Sequence, residues 1–414
     1  MANVLLTSFG SYGDINPFIG LGTALKARGH SVTFATNPYY EGAVSGAGIN
    51  FLPIGTREEF LRHINHPDLW DPEKVMNVLF RELRVLIRPT FELVRQFAQQ
   101  PDSIIVASWM LFGARMAQEK FDFPLVTVDL QPAIIPSLDA TPVQSSLDFS
   151  KWPRWAKWAV NWYGNIMVRK MLEPDFSQLR EELGLASIGG AFDSWYHSPL
   201  LTTALWPEWF GPPQRDWPAN IRLAGFPLYD EVGDKTMPVE LETFLNEGPP
   251  PVVFTPGSSM AHGKPFFEES VKACVETGYR GILVTRFVDQ LPENLPPHVH
   301  GFSYIPFSLL LPRCAALVHA GGIGNISQAF AAGIPQIVMP LLNDQPDNAV
   351  RVQRLGAGLT IQPADYRSRN VAELLNKLHK DPSYRSRAHE FQQKMQNHNG
   401  LLRACELIEQ AINR

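Results

Sequence analysis

Short apolar runs alternate with amphipathic stretches along most of the chain, the pattern of a parallel α/β protein whose strands are buried on both faces. Asn3 to Ser8 reads as a strand, followed by the loop FGSYGDINP. Phe18, Leu21, Ala24 and Leu25 mark one face of a helix that starts near Pro17 and ends at Gly29, and His30 to Ala35 is a second strand. Asp14 is then a favoured N-cap ahead of a first-turn proline. A second unit of this kind spans Leu317 to Asn348. Ala315 to Val318 is apolar, His319 ends the run, and Gly321, Gly322 and Gly324 make a tight turn. From Asn325 the spacing is helical, with Ile326, Ala329, Phe330 and Ala332 on a stripe that stops at Gly333 and Pro335. Gln336 to Met339, Val252 to Thr255 and Gly281 to Thr285 read as further strands. A Gly-, Pro- and acid-rich linker, Glu231 to Pro251, encloses a short helix at Val239 to Asn246. The loops Gly10 to Asn16 and Gly321 to Asn325 each sit at the carboxyl edge of a strand, which predicts two facing α/β domains with a cleft between them.

Composition narrows the function class. The 414 residues, 45% of them hydrophobic, suit two to three domains with sizeable cores. A net charge of −5 gives no sign of a nucleic-acid binder. Cys274, Cys314 and Cys405 share no metal-ligand spacing and read as small core residues in a reducing cytoplasm. Val4 to Thr7 is too short an apolar run for a signal peptide, and no apolar window reaches the roughly 18 residues of a membrane span, so the expected location is cytoplasmic.

Glycines between a strand end and a helix start let a ligand approach the backbone, and unpaired first-turn N–H groups favour an anion such as a diphosphate. GGIGNIS is neither G-x-G-x-x-G nor a P-loop, so a purely structural turn is an equal reading of that segment alone. His319 and the pair Asp344 and Gln345 sharpen it, because all would emerge on one carboxyl edge of a parallel sheet.

The order H-x-G-G-x-G at His319 to Gly324, A-G-[IV]-P at Ala332 to Pro335, and P-x-x-x-D-Q at Pro340 to Gln345 resembles the donor-sugar signature of the inverting GT-B glycosyltransferases, the group of plant, sterol and antibiotic glycosyltransferases. That resemblance implies two facing Rossmann-like domains with parallel sheets. It implies that His319 and the turn amides around Gly322, Gly324 and Asn325 hold a diphosphate, and that Asp344 and Gln345 hold sugar hydroxyls. Plant members carry Trp where this chain has Gly322, so the match is to the bacterial and sterol branch. There the loop G-S-x-G-D carries the aspartate proposed as general base, and Gly10-Ser11-Tyr12-Gly13-Asp14 fits it. Asp14 thus has two readings, cap and base. His30 reads as structural.

By the same resemblance Gly257 and Ser258, in the turn Pro256 to Ser259, approach the phosphates, a plain turn being the alternative. GFSYIP, Gly301 to Pro306, stands where plant members have W-x-P-Q, so Tyr304 would stack on the base and Ile305 would pair with it through its backbone. An alcohol needs its proton removed to attack, which is the work of a base, and the turn amides, helix N-terminus and His319 would stabilise the departing diphosphate without a metal. No D-x-D triplet is present.

Acceptor recognition falls in the first half. PDLWDP (Pro67 onward), Trp109 in SWMLF, and Asp129 in VTVDLQPAIIP are the candidates, with Asp129 read as a substrate orienter, a partner of Asp14 or a turn former. Lys151 to Leu172 puts Trp152, Trp155, Trp158 and Trp162 near one helical face, interleaved with Lys151, Arg154 and Lys157. Three readings stand for it: packing on the core, a lid over a greasy acceptor pocket, and peripheral contact with a membrane at its inner face.

Ser194 to Asp230, with PDLWDP and GSYGDINPFIGL, is most similar to the bacterial rhamnosyltransferases that build rhamnolipids. The resemblance implies metal-independent, inverting transfer of rhamnose from dTDP-rhamnose, or glucose from UDP-glucose, to a hydroxyl of a hydroxyacyl lipid, flavonoid or sterol-like acceptor. The nucleotide sugar is a co-substrate, and no cofactor is expected. The expected domains are an acceptor domain at 1–230, the linker 231–251, a donor domain at 252–395 and a returning helix at 396–414. A non-catalytic sugar-nucleotide-binding auxiliary protein is the alternative; a 2-epimerase of the same fold lacks support from the G-S-x-G-D loop.

Overall fold

The computed structural model describes residues 1–71, 74–143, 149, 151–188, 192–230, 237–258 and 260–412. Pro72, Ser259, the linker residues 231–236 and the terminal residues 413–414, which fall in stretches singled out above, lie outside the described residues. The chain divides into two compact units, one comprising Met1–Gly10, Asp14–Tyr229 and Asn399–Arg414, the other Ser11–Gly13 and Asp230–His398.

In the first unit the described strands are β1 (Asn3–Thr7), β2 (Ser31–Thr36), β3 (Asn50–Pro53), β4 (Ser103–Ser108), β5 (Leu125–Asp129), β6 (Leu201–Ala204) and β7 (Ile221–Leu223). They pair in parallel in the order β3-β2-β1-β4-β5-β6-β7. The chain leaves β1 towards β2 and β3, then returns to add β4 on its other side, so β1 and β4 flank a switch point. Leu5, Ile105 and Leu125 pack one face against Phe80, Leu83, Ile87 and Phe91 of the helix Val75–Phe97. Burying each such side chain is worth about 1.5–3 kcal/mol.

The helix after β1 runs from Tyr12 to Ala27, five residues earlier than the position of Pro17 suggests. Ser11 explains the shift: its Oγ accepts the N–H of Gly13 at 3.1 Å, the bond of an N-cap. Pro17 lies inside the helix, and Asp14 is in its first turn rather than at its cap. The tail forms two helices, Pro382–Gln396 and Gly400–Ile412, the second of them inside the segment 396–414 expected to return as a helix. The break comes where Asn399 Oδ1 takes the N–H of Leu402. The last helix packs in the first unit, and its Glu409 receives both Arg28 (2.6 Å) and His30 (3.1 Å). Hydrogen bonding from Arg28 holds the Glu409 carboxyl down at about 2.

The second unit's described strands are β8 (Val252–Thr255), β9 (Gly281–Val284), β10 (Val299–Phe302), β11 (Ala316–His319), β12 (Gln336–Val338) and β13 (Gly358–Thr360), all parallel in the order β10-β9-β8-β11-β12-β13. Phe254, Val318 and Ile337 face one core with Phe266 and Leu375. Their neighbours Val253 and Leu317 face a second with Leu241, Phe244 and Leu245. Those last three belong to the helix Val239–Asn246, which the composition placed in a linker and the structure makes a wall of the core. The three cysteines are buried and unbridged, and burial pushes the thiols of Cys274 and Cys314 up to about 12.

Candidate functional site

In the second unit β8 and β11 are neighbours whose chains continue in opposite directions across the sheet, which is where ligands bind in open parallel sheets. Gly257 and Ser258 follow β8, Tyr304 and Ile305 follow β10, the glycine turn follows β11, and Asp344 and Gln345 follow β12. All these candidate donor-site residues therefore emerge on one carboxyl edge.

The turn after β11 is built around His319. Its ring is fully buried, Nδ1 accepts the N–H of Gly321 at 3.0 Å, and Nε2 lies 2.9 Å from Gln336 Oε1. A nitrogen that accepts an N–H carries no proton, so the neutral tautomer with Nε2–H donating to Gln336 is the one present. Burial pulls the ring down to about 4 and keeps it neutral. Both nitrogens are thus engaged within the protein, and the ring shapes the turn. Gly321 has φ +92, and a Cβ there would lie 2.8 Å from Val338 Cγ1, so no other residue fits without displacement.

Gly322 is the N-cap of the helix Ile323–Ala332 and makes no side-chain cap bond to its first turn. A Cβ on Gly322 or Gly324 would meet nothing within 4 Å, so the approach to the helix N-terminus is open. First-turn N–H groups at the positive end of a helix dipole, here including that of Asn325, are the kind of group that favours an anion.

Asp344 precedes the helix Gln345–Arg354, and its Oδ2 accepts the amide of Asn348 at 2.6 Å. The same Asn348 Nδ2 donates to the Gly321 carbonyl at 3.0 Å, tying the carboxylate to the glycine turn. Gln345 Oε1 accepts the N–H groups of Leu341 (2.8 Å) and Leu342 (3.0 Å), which leaves its Nε2 to donate elsewhere. Tyr304 is 38% exposed, with the Arg286 guanidinium 5.0 Å from its ring centroid. The side chain of Ile305 is buried in the core. Gly257 has φ +108 with open space where a Cβ would be. Gln336, Asn348 and Arg286 escaped the sequence reading, since nothing in their local pattern marks them.

In the first unit Asp14 follows β1 and Trp109 follows β4, the two strands of its switch point. The Asp14 carboxylate lies against Gly10, where a Cβ would come within 2.4 Å of Oδ2. The loop is fixed by Ser8 Oγ donating to the Asp14 carbonyl (3.2 Å), Thr36 Oγ1 to the Ser8 carbonyl (2.9 Å) and Tyr40 OH to the Gly10 carbonyl (2.7 Å). Trp109 is half-buried against Tyr196. Asp129 is not in a turn: it ends β5, fully buried, with His197 Nε2 2.9 Å from Oδ2. His197 sits in the segment SWYHSP, which carries no spacing that would have flagged it. Trp155 lies on the helix Arg154–Leu172 and is exposed. Among the described residues no cluster of His, Cys, Asp or Glu could hold a metal, and no helix is long and apolar enough to cross a membrane.

Comparison with known proteins gives independent results for each half. Residues 4–135 match the glycosyltransferase family 28 N-terminal domain, and residues 282–400 match the C-terminal domain of erythromycin biosynthesis protein CIII-like proteins. O-mycaminosyltylonolide 6-deoxyallosyltransferase of Streptomyces fradiae is 26% identical over 98% of this chain and 97% of its own. A sterol 3-beta-glucosyltransferase of Debaryomyces hansenii is 26% identical over 98% of this chain but only 26% of that longer protein. The fold is that of the glycosyltransferase VinC, solved in complex with dTDP, at TM-score 0.69 and 20% identity over the full length of both chains.

Proposed function

We propose that this chain, a glycosyltransferase of the GT-B superfamily that holds the family 28 and EryCIII-like enzymes, moves a hexose or deoxyhexose from a nucleoside diphosphate to a hydroxyl of a lipophilic acceptor with inversion. The observation that carries this reading is the gathering, on one edge of the second sheet, of an open helix N-terminus, a braced carboxylate and an exposed aromatic ring. These suit the three parts of a sugar nucleotide: the diphosphate on the amides of Gly322, Gly324 and Asn325, the sugar hydroxyls on Asp344 and Gln345 Nε2, and the base against Tyr304. Gly257 and Ser258 approach the phosphates from the other side of the switch point.

Asp14 takes the proton of the acceptor hydroxyl as its oxygen attacks the anomeric carbon from the face opposite the diphosphate. The carbon–oxygen bond to the nucleotide breaks, and the charge gathered on the departing diphosphate is stabilised by amides already aimed at it. No metal or cofactor enters this scheme. The dTDP complex of VinC and the sterol and 6-deoxyallose named for the relatives support a dTDP- or UDP-sugar donor and a bulky apolar acceptor. Trp109, which follows β4 as Asp14 follows the neighbouring β1, is the residue we assign to the acceptor. dTDP-rhamnose and UDP-glucose are the first donors to try.

The reading is tested by scanning fluorimetry with a panel of dTDP- and UDP-sugars in chelator. Binding to the native state raises the melting temperature in proportion to the logarithm of ligand over Kd. A rise with one nucleotide series is expected; no rise with any sugar nucleotide or with free dTDP and UDP would overturn it.

A further inference from the structure

The aromatic face of the helix Arg154–Leu172 is turned outward. Trp155, Trp158 and Trp162 are 74%, 57% and 50% exposed, Trp152 just before the helix is 46% exposed, and Tyr163 is 61% exposed. The spacing 155, 158, 162 places three indoles on a single stripe, and Trp158 stacks on Trp162 with centroids 6.2 Å apart. The opposite face is what anchors the helix: Ala156 and Leu172 are buried, Val168 and Met171 lie against the core, and Lys157 reaches inward to the Leu138 carbonyl. The core-packing reading of the tryptophans is therefore wrong. A contiguous exposed stripe of this kind on a folded surface marks an interaction site.

Charge selects the partner. Residues 151–172 hold five cations (Lys151, Arg154, Lys157, Arg169, Lys170) and no acid, in a chain of net charge −5. Arg154 pairs with Asp139 and Lys157 is buried, but Lys151, just before the indole stripe, and Lys170, two turns beyond it on the same helix, stand exposed. A second copy docking on the same face about a two-fold axis would bring like charges together. An indole is apolar with one polar N–H, so it suits the boundary between acyl chains and headgroups, and flanking lysines suit an anionic surface.

We infer that this helix docks the protein on the surface of an anionic phospholipid bilayer, lying in the plane of the interface with its indoles towards the acyl chains. This goes beyond the transferase reading and does not depend on it. The seated helix delivers the enzyme to the phase where lipophilic molecules collect.

The test is cosedimentation of the full chain with vesicles of phosphatidylcholine and phosphatidylglycerol in equal amounts, against phosphatidylcholine alone. Binding to the anionic vesicles, weakened by salt, is expected, together with quenching of tryptophan fluorescence by brominated acyl chains. Trp158→Ser/Trp162→Ser should lose most of the binding, and Lys151→Ser/Lys170→Ser should weaken it by roughly fivefold for each charge removed. Should the tryptophan variant misfold, the lysine variant and the quenching of the wild type still decide. Wild type left in the supernatant with both vesicles, lysine or folded tryptophan variants that bind as wild type does, or a tryptophan variant that instead turns a dimer into a monomer in sedimentation velocity would each overturn the inference.

Discussion

Gly321 donates its backbone N–H to Nδ1 of His319 at 3.0 Å, so the imidazole and the glycine turn are one unit. The consequence is that any effect of His319 on the diphosphate proposed above would run through the turn it holds. Replacing it with Ala leaves the Gly321 N–H and Gln336 Oε1 without their partner in a buried site, a loss of about 1–3 kcal/mol for each unsatisfied group. His319→Ala should therefore lower both the melting temperature and dTDP affinity. His319→Asn puts an amide oxygen close to the place of Nδ1 and should recover part of both. Calorimetric titration of the two variants with dTDP checks this, and equal loss in both would show that the Gly321 bond is not what matters.

The same ring sets a pH dependence. His319 titrates near 4 when folded because burial disfavours its charged form, against an ordinary value of 6.5. The unfolded chain therefore takes up a proton as pH falls through 6.5 while the native state does not, so stability present above 6.5 is lost progressively down to about 4. The shift corresponds to roughly 3 kcal/mol. His63, also lowered to about 4 by burial first and then by the positive field of Arg81, adds in the same direction. Urea titrations followed by far-ultraviolet dichroism should give a steeper loss with acid for wild type than for His319→Asn. Parallel curves would place the titration elsewhere.

Asn348 joins two parts of the proposed donor site that are far apart in sequence, donating to the Gly321 carbonyl and to Asp344 Oδ2 from one buried amide. Asn348→Ala should cost about 1–3 kcal/mol of stability. It should also weaken sugar-nucleotide binding more than nucleotide binding, because Asp344 loses its brace. Comparing the affinities of dTDP and the matching dTDP-sugar in this variant tests the link; an unchanged ratio would mean that Asp344 needs no such support.

The sheets were legible because a buried parallel strand is a short apolar run and little else. The glycine turn was legible because strand, glycines and helix are adjacent in sequence. What the pattern could not carry were partners set by folding: Gln336 for His319, Asn348 for Asp344, His197 for Asp129. The spacing of the tryptophans likewise defined a helical face but not its direction, since core and membrane surface both favour indoles. Pro17 misled for a local reason. Proline is common at a helix start, yet here Ser11 supplies the cap and the helix begins ahead of it.

Gly10 shows how closely the Asp14 carboxylate is held. Its φ of +127 is one that L side chains rarely adopt, and a Cβ would sit 2.4 Å from Asp14 Oδ2. Gly10→Ala should push the carboxylate aside and lower transfer by about 10²-fold, the scale of a small misplacement of a reacting group. Donor binding, which the second unit's residues would provide, should hold. Single-turnover rates at saturating donor measure it, and a wild-type rate would show that the position of this carboxylate is unimportant.

Asp14 itself gives the sharpest test, because the structure separates two roles that the sequence left joined. It is not the N-cap, since Ser11 is, so replacing it costs no cap bond and takes a charge from beside the helix dipole, a contribution of about 0.3–1 kcal/mol. Asp14→Asn and Asp14→Ala should then differ little from wild type in melting temperature and in donor affinity. If Asp14 is the general base, both should lose transfer by about 10²-fold or more, since an amide and a methyl group are equally unable to take the acceptor's proton. The Asn variant matters most, because it keeps the shape that Gly10 packs against while losing the charge and the basicity. A folded, donor-binding Asn variant that transfers sugar at the wild-type rate would sink the mechanism. Asp129 could not easily replace Asp14 in that event, for its carboxylate is buried against His197, and the proton would have to leave by way of the acceptor itself.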